Sequence, residues 1–183
     1  MTNSTKLQRV LYFTGQLLSA DDFKAEQNYF IEKHRLHNRH LHGWGVVNGL
    51  KVSVDKGNVV HVSPGIAIDC VGNELLLCSE QKLAAPAKAG EFYVVVEFRE
   101  TEVSPVPSAP GTGGSTDPAI NNSRIQEDCR VYITNVDPNV NHTGIGPGTA
   151  GCGAAHAISI ARLQKKPKGW KLTQCGRRII KGK

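Results

Sequence analysis

The sequence predicts a mainly β protein with one long N-terminal α-helix, folded as a small antiparallel β-sandwich or barrel that carries two Gly- and Pro-rich loops. Two observations lead to this prediction. From Asp21 to about Leu41 the chain contains no Gly or Pro and opens with residues that favour a helix start. From Val46 onward, short apolar runs alternate with turn-forming residues at the spacing typical of small β-folds. The length of 183 residues fits one domain with an elaborated terminus.

The helix is the element with the strongest local signals. Ser19 can cap its first turn, with Asp22 three residues later as an acidic version of the capping box. A stripe with spacings of four and three residues then follows one face. It consists of Phe23, Gln27, Phe30, His34, His37 and Leu41. A helix buried in its own domain would carry apolar residues at the polar positions, so the mixed stripe predicts packing against a protein partner or a symmetry mate.

The remainder of the chain predicts a series of short strands. Residues 50–54 and 59–62 form a hairpin across the turn signal at 55–58, and Val10–Phe13 is a short strand or an extended arm. Further strands are predicted at residues 66–70, 74–78, 92–98 and 129–134, with a last hairpin at 157–163 and 170–173. Asp69 and Glu74 flank the turn at 71–73, where we expect both carboxylates to be solvated.

The predicted organisation has two parts. Residues 1–45 form an N-terminal arm and a docking or oligomerisation helix, and residues 46–183 form the β-domain. Within the β-domain, the Pro- and Gly-rich stretch 103–124 is predicted to be a flexible insertion between strands, because its composition buries little apolar surface. Residues 137–153 form the second, Gly-rich loop.

Composition and charge narrow the function classes. The net charge of +6 permits an acidic partner, but the basic residues are spread between the helix and the C-terminal tail. Acidic residues offset the basic ones on the helix and Trp44 lacks a second aromatic for base stacking, so nucleic-acid binding is not expected. No apolar run is long enough to span a bilayer, and the first residues lack a secretory signal. We therefore expect cytoplasmic synthesis and, with five cysteines and no C-x-x-C pair, reduced thiols.

Two groups of residues raise the question of a metal site. His34 and His37 share a helical face, but with His40 and His42 they spread over too wide an arc to converge within one chain. Hydrogen-bonded interface histidines are the favoured interpretation; a single-chain metal site and histidines from several chains meeting on an axis stay open. Cys129, Cys152 and His156 would converge only if the Gly-rich loop folds back, and no known ligand spacing supports this. No nucleophile elbow, zinc-protease motif or phosphate loop is present, so neither enzymatic activity nor a cofactor is expected.

One stretch of the sequence resembles a known family. The segments that carry the resemblance are Tyr12–Phe23, with Glu26 and Gln27, then Leu36–Leu50, and finally Val62–Asp69 with Gly72–Glu74. They look like the opening of small structural proteins of contractile injection systems and phage-tail-like particles, of the baseplate or fibre-attachment type. The resemblance covers roughly residues 10–80 and is most specific over residues 12–50.

The resemblance implies a structural subunit without enzymatic activity. It would be baseplate-associated or a fibre adaptor, assembled with other subunits of the particle as a homo-oligomer, with a trimer favoured, and the particle would be released or docked to a membrane. The predicted interface residues are Phe13, Phe23, Gln27, Phe30, His34, His37, Leu41 and Trp44. The alternatives are a module that binds a surface ligand such as a carbohydrate through the two loops, and, more weakly, a metal-dependent enzyme. For Trp44 two interpretations stay open, a place in this interface and an ordinary core position.

Overall fold

A computed structural model describes residues 7–107, 120–141, 156–167 and 169–175, and it has the predicted architecture: mainly antiparallel β-sheet with one N-terminal helix. The helix α1 spans Ala20–His37 and continues into a π-helical turn at Asn38–His42. The strands are β1 Gly45–Gly49, β2 Val52–Val54, β3 Val59–Val62, β4 Gly65–Ile68, β5 Glu74–Leu77, β6 Gln81–Ala84, β7 Glu91–Pro107, β8 Ile120–Thr134, β9 Ile158–Lys166 and β10 Gly169–Gln174. A short 3₁₀ turn lies at Pro138–Asn141.

The strands form three antiparallel sheets. Their orders are β1-β4-β5, β2-β3-β6 and β10-β9-β7-β8, and within the described ranges none closes into a barrel. The predicted hairpin β2–β3 and the final hairpin β9–β10 are both present. Strand β6, which pairs with β3, was not predicted because Gln81–Ala84 shows no clear alternation. Apolar side chains from all three sheets meet in one core, which includes Leu50, Val60, Leu75, Val94, Val96, Ile158 and Leu163.

The predicted flexible insertion at 103–124 is wrong at both of its ends. Residues 103–107 belong to β7 and residues 120–124 to β8, and the two strands pair continuously from Tyr93↔Thr134 to Pro107↔Ile120, apart from an irregularity near Ser104. Composition missed these strands because the hydrogen bonds that order them come from a partner strand further along the chain. Pro105 and Pro107 are tolerated because the recorded pairing of β7 with β9 ends at Val96, well before them. Residues 108–119 lie outside the described residues.

The predicted arm at Val10–Phe13 forms neither strand nor helix in the described structure. A turn follows it, in which the Gln16 amide donates to the Phe13 carbonyl at 3.2 Å. Of the predicted loop 137–153, residues 138–141 form the 3₁₀ turn and the rest lies outside the described residues. Among the described residues no helix is both long and apolar enough to cross a membrane.

Candidate docking surface

Helix α1 begins where the sequence predicts and for the predicted reason. The Ser19 amide donates to Asp22 Oδ2 at 2.8 Å, and the Asp22 amide donates back to the Ser19 hydroxyl at 3.3 Å, which completes the capping box. These hydrogen bonds lower the pKa of the Asp22 carboxyl, with the Ser19 backbone amide as the largest cause. The cap fixes the start of a helix that receives little help from packing.

No residue of α1 is buried. On the predicted stripe, Phe23 is 51 % exposed, Phe30 60 % and Leu41 63 %, and the stripe's polar members Gln27, His34 and His37 are exposed as well. Most helices in globular proteins are stabilised by an apolar face that packs on the domain. Here, the apolar side chains of the helix face outward.

The arm before the helix adds to this exposed surface. Leu11, Phe13 and Leu17 are exposed, Leu17 by 94 %. The arm lies beside its own helix, because the Tyr12 hydroxyl donates to Glu26 Oε2 at 2.6 Å, and this bond raises the pKa of Tyr12. We call the arm, residues 7–18, and the stripe of α1 together the N-terminal docking surface.

Trp44 is not part of this surface. The prediction that placed it among the interface residues is wrong: its side chain is 4 % exposed and belongs to the core of the β-domain. Gly43, with φ of +75°, ends the helical segment and turns the chain so that Trp44 points inward. The other predicted interface residues all lie exposed on the arm, the helix or the π-helical turn, namely Phe13, Phe23, Gln27, Phe30, His34, His37 and Leu41.

The C-terminal end of α1 is fixed to the turn between β4 and β5. Arg35 Nε donates to Asn73 Oδ1 at 2.7 Å, and Asn38 Nδ2 donates to the Gly72 carbonyl at 3.0 Å. A Cβ on Gly72 would lie 2.2 Å from the Arg35 carbonyl oxygen, so the helix and the turn approach each other as closely as backbones allow. We call Arg35, Asn38, Asp69, Gly72 and Asn73 the helix joint.

Asp69 organises the turn side of the helix joint. Its Oδ1 accepts from the amides of Val71, Gly72 and Asn73, each at 2.9 Å, and its Oδ2 accepts from Asn73 Nδ2 at 2.8 Å. The predicted solvation of Asp69 is wrong, since the residue is 1 % exposed. Four donors converge on the carboxylate, which compensates for its removal from water. Glu74, in contrast, is exposed, as predicted.

The histidines of the helical segment do not converge on one point. His34 Nε2 lies 3.4 Å from Glu74 Oε1, and the rings of His37 and His42 meet edge to face with centroids 5.4 Å apart. His40 is exposed. Among the described residues no group of three or more His, Cys, Asp or Glu side chains is arranged to hold a metal ion.

The second metal hypothesis involved Cys129, Cys152 and His156. Cys129 is 4 % exposed on β8, and burial raises the pKa of its thiol to about 12, which disfavours the thiolate that a metal needs. His156 is half-buried, while Cys152 lies outside the described residues. The ligand-binding alternative relied on residues 103–124 and 137–153, and the described ends of the first stretch are paired strands rather than loop.

The sequence interpretation missed the helix joint. The segment Val71–Asn73 was identified only as a turn, and Asn38 only as one residue of a helix. One signal was available: Asn has low helix propensity and competes for backbone hydrogen bonds, so an Asn near a helix end suggests a cap or a tertiary contact. Its partner, the Gly72 carbonyl, could not be identified from spacing.

Comparisons with known proteins give structural likenesses alone. No family model matches the chain, and no curated protein matches it. Among solved structures it is similar to TssK in a crystal structure, with 14 % identity and a TM-score of 0.47, covering 92 % of this chain and 41 % of that one. It is also similar to a chain of the TssK–TssF–TssG baseplate subcomplex of the type VI secretion system, with 13 % identity, a TM-score of 0.48 and coverage of 92 % and 60 %.

A third likeness is to a chain of the baseplate complex from the type VI secretion system, with 12 % identity, a TM-score of 0.46 and coverage of 92 % and 58 %. The chain therefore spans 41 to 60 % of the length of the solved chains it matches.

Proposed function

We propose that this chain is a structural, non-enzymatic subunit of a phage-tail-like contractile injection particle, associated with the baseplate or acting as a fibre adaptor. Its subunit contacts are made through the N-terminal docking surface, after synthesis in the cytoplasm. The observation that supports this most directly is an 18-residue helix with no buried residue and an exposed apolar stripe. Exposed apolar patches mark interaction sites on soluble proteins, and the arm adds Leu11, Phe13 and Leu17 to the apolar members of the stripe.

The sequence resemblance supports the same residues. The segments Tyr12–Phe23 and Leu36–Leu50, which are most similar to the contractile-injection and baseplate proteins, contain the second half of the arm, the start of the helix and Asn38 of the helix joint. A docking segment needs both an exposed contact face and a rigid attachment to the rest of the subunit. The stripe and the helix joint meet these two requirements on one helix.

The occupant that we propose for the docking surface is a second copy of this chain. Residues 20–32 contain four acids and one base, whereas residues 33–42 contain three bases and no acid. The two halves of the helix therefore carry opposite charge, which suits contact with an identical helix. The resemblance favours a trimer, and native mass spectrometry measures the number of copies directly.

The test is a charge placed in the centre of the stripe. Phe30→Asp is expected to dissociate the oligomer, because it removes the aromatic contact at the centre of the stripe and leaves a carboxylate to be desolvated there. Leu76→Asp is the matched control: Leu76 is 56 % exposed, close to the 60 % of Phe30, but lies on β5. Native mass spectrometry reports the oligomeric state, and far-UV circular dichroism reports whether the β-domain stays folded.

Two outcomes would contradict the proposal. A wild-type chain that is strictly monomeric and enters no particle removes its basis. If Phe30→Asp abolishes the β-sheet signal while Leu76→Asp keeps it, the helix belongs to the core of the β-domain and is not a docking element. Dissociation by Phe30→Asp alone, with both sheet signals intact, is the expected result.

A further inference from the structure

The charges of α1 and of the π-helical turn that follows it are segregated along this helical segment. The acids Asp21, Asp22, Glu26 and Glu32 with Lys24 give residues 20–32 a net charge of −3, and Lys33, Arg35 and Arg39 give residues 33–42 a net charge of +3 with the histidines neutral. The helix dipole accounts for Asp21 and Asp22 in the first turn, but its influence fades beyond that turn. The helix dipole therefore does not explain why acidic residues also stand at Glu26 and Glu32.

Ion pairs within the chain use only part of this charge. Arg35 Nη1 contacts Glu32 at 2.7 Å, and Lys24 lies 3.9 Å from the exposed Asp21 carboxylate. Lys33 contacts the Tyr29 hydroxyl, and Arg39 makes no ion pair within the part of the chain that the structure describes. Of the remaining charged residues, Glu26 and Lys33 flank the stripe at 3.6 residues per turn, so each half keeps one charge beside the proposed contact, whereas Arg39 lies on the opposite face.

The stripe is symmetric about Glu32 in sequence. If a second α1 lies antiparallel with its Glu32 at the same level along the helix axis, Phe23 faces Leu41, Gln27 faces His37 and Phe30 faces His34 of the other copy. The amide of Gln27 and the imidazole of His37 can then form a hydrogen bond. Leu41 lies in the π-helical turn, which displaces it from the uniform α-helical position, so the central pairs set the register.

The spacing allows a parallel arrangement as well, and the charges decide between the two. Parallel copies would place the two acidic halves side by side and the two basic halves side by side, which is repulsive. Antiparallel copies place each acidic half against a basic half. They also separate the two β-domains, since among the described residues each domain is hydrogen-bonded to its own helix near the C-terminal end, through Arg35 and Asn38.

We infer that α1 pairs antiparallel with α1 of a second copy about a two-fold axis near Glu32. This inference rests on the proposed function and specifies its partner and geometry. It replaces the trimer, which the resemblance favoured, by a symmetry that contains a two-fold axis. The smallest assembly of this kind is a dimer whose β-domains lie at opposite ends of the helix pair.

Disulfide trapping in the full-length chain tests the direction of the helices. Gln27→Cys and His37→Cys are prepared separately, oxidised alone and as a mixture, and the bridged peptides are identified by mass spectrometry. In the antiparallel pair, positions 27 and 37 of different copies face each other, while positions 27 and 27 are offset by ten residues, about 15 Å. A disulfide requires Cα atoms within about 7 Å of each other.

The expected result is a bridge between positions 27 and 37 that forms in the mixture and in neither variant alone. Asn28→Cys is the control, since Asn28 is exposed one residue away from the stripe and is not expected to form a bridge with position 37. Oxidised wild-type protein identifies any bridges made by the exposed native residues Cys78 and Cys175.

Three outcomes would overturn the inference, and they separate it from the proposed function. Bridges within each variant alone, 27 to 27 and 37 to 37, mean that the helices are parallel. If the wild type is oligomeric but neither variant nor their mixture forms a bridge at positions 27 or 37, the copies meet elsewhere. The structural role then stands without the helix pair. A monomeric wild type without bridges overturns both.

Discussion

Gly72→Ala is the substitution with the most specific consequence for the attachment of the helix. Gly72 has φ of +105°, and an added Cβ would lie 2.2 Å from the Arg35 carbonyl oxygen, which is backbone and cannot move alone. Gly169→Ala is the matched control: Gly169 has φ of +125°, and an added Cβ would meet nothing within 4 Å. Both variants carry the backbone strain of a positive φ, of order 1–3 kcal/mol. Only Gly72→Ala forces the helix away from the turn.

The additional cost follows from the contacts of the helix joint. Separation of α1 from the turn removes the charged hydrogen bond from Arg35 to Asn73, which contributes about 1.5–3 kcal/mol, and the bond from Asn38 to the Gly72 carbonyl, which contributes about 1 kcal/mol. We therefore expect Gly72→Ala to lower the free energy of unfolding by about 2–4 kcal/mol more than Gly169→Ala does.

Urea unfolding followed by circular dichroism measures both variants. Amide hydrogen exchange shows whether the loss is local: residues Arg35–His42 should exchange faster in Gly72→Ala, while the core strand β7 should stay protected near Val94–Val96. Equal destabilisation of the two variants, within about 0.5 kcal/mol, with unchanged exchange at the helix end would refute the close approach as the cause.

Three further predictions follow from single contacts. Ser19→Ala removes the helix cap, and the helical signal in circular dichroism should fall, with a cost of about 1 kcal/mol, because no burial compensates for the loss. The pKa of Asp55 lies below its ordinary value, chiefly because the Val59 amide donates to its carboxylate, with His61 as the next cause. The stabilisation of the fold by this ionised carboxylate is therefore present above about pH 4 and is lost as the pH falls toward the lowered pKa. Asp55→Asn should accordingly have a flatter acid-unfolding profile. Iodoacetamide at pH 8 should modify the exposed Cys78 in the native protein and spare Cys129, whose buried thiol has a pKa of about 12; rapid labelling of Cys129 would contradict its place in the core.

Local signals in the sequence were sufficient for several elements. Ser19 and Asp22 predicted the helix start because a capping box involves residues only three positions apart. The turn at 55–58 predicted the β2–β3 hairpin for the same reason. The exposed stripe was also predicted, because polar residues at Gln27 and His34 indicated a face that the domain does not bury.

The features that the sequence did not reveal depend on distant strand pairing or on a backbone geometry that residue type does not specify. The strand ends at 103–107 and 120–124 are ordered by each other, and their composition resembles a loop. Asp69 is buried because three backbone amides of its own turn point at one carboxylate oxygen, a geometry that residue type alone does not specify. Trp44 was divided between interface and core, and its burial follows from the turn at Gly43.

The attachment of α1 at one end also has a mechanical consequence. An 18-residue helix is about 27 Å long, and among the described residues its hydrogen bonds to the β-domain are made at its C-terminal end, by Arg35 and Asn38. It is therefore a cantilever, and a rotation of about 5° at the Gly72 contact moves its far end by about 2 Å. A force applied near Phe23 is transmitted as torque to the β4–β5 turn. The buried Asp69 carboxylate keeps this turn in shape, because it accepts a hydrogen bond from Asn73.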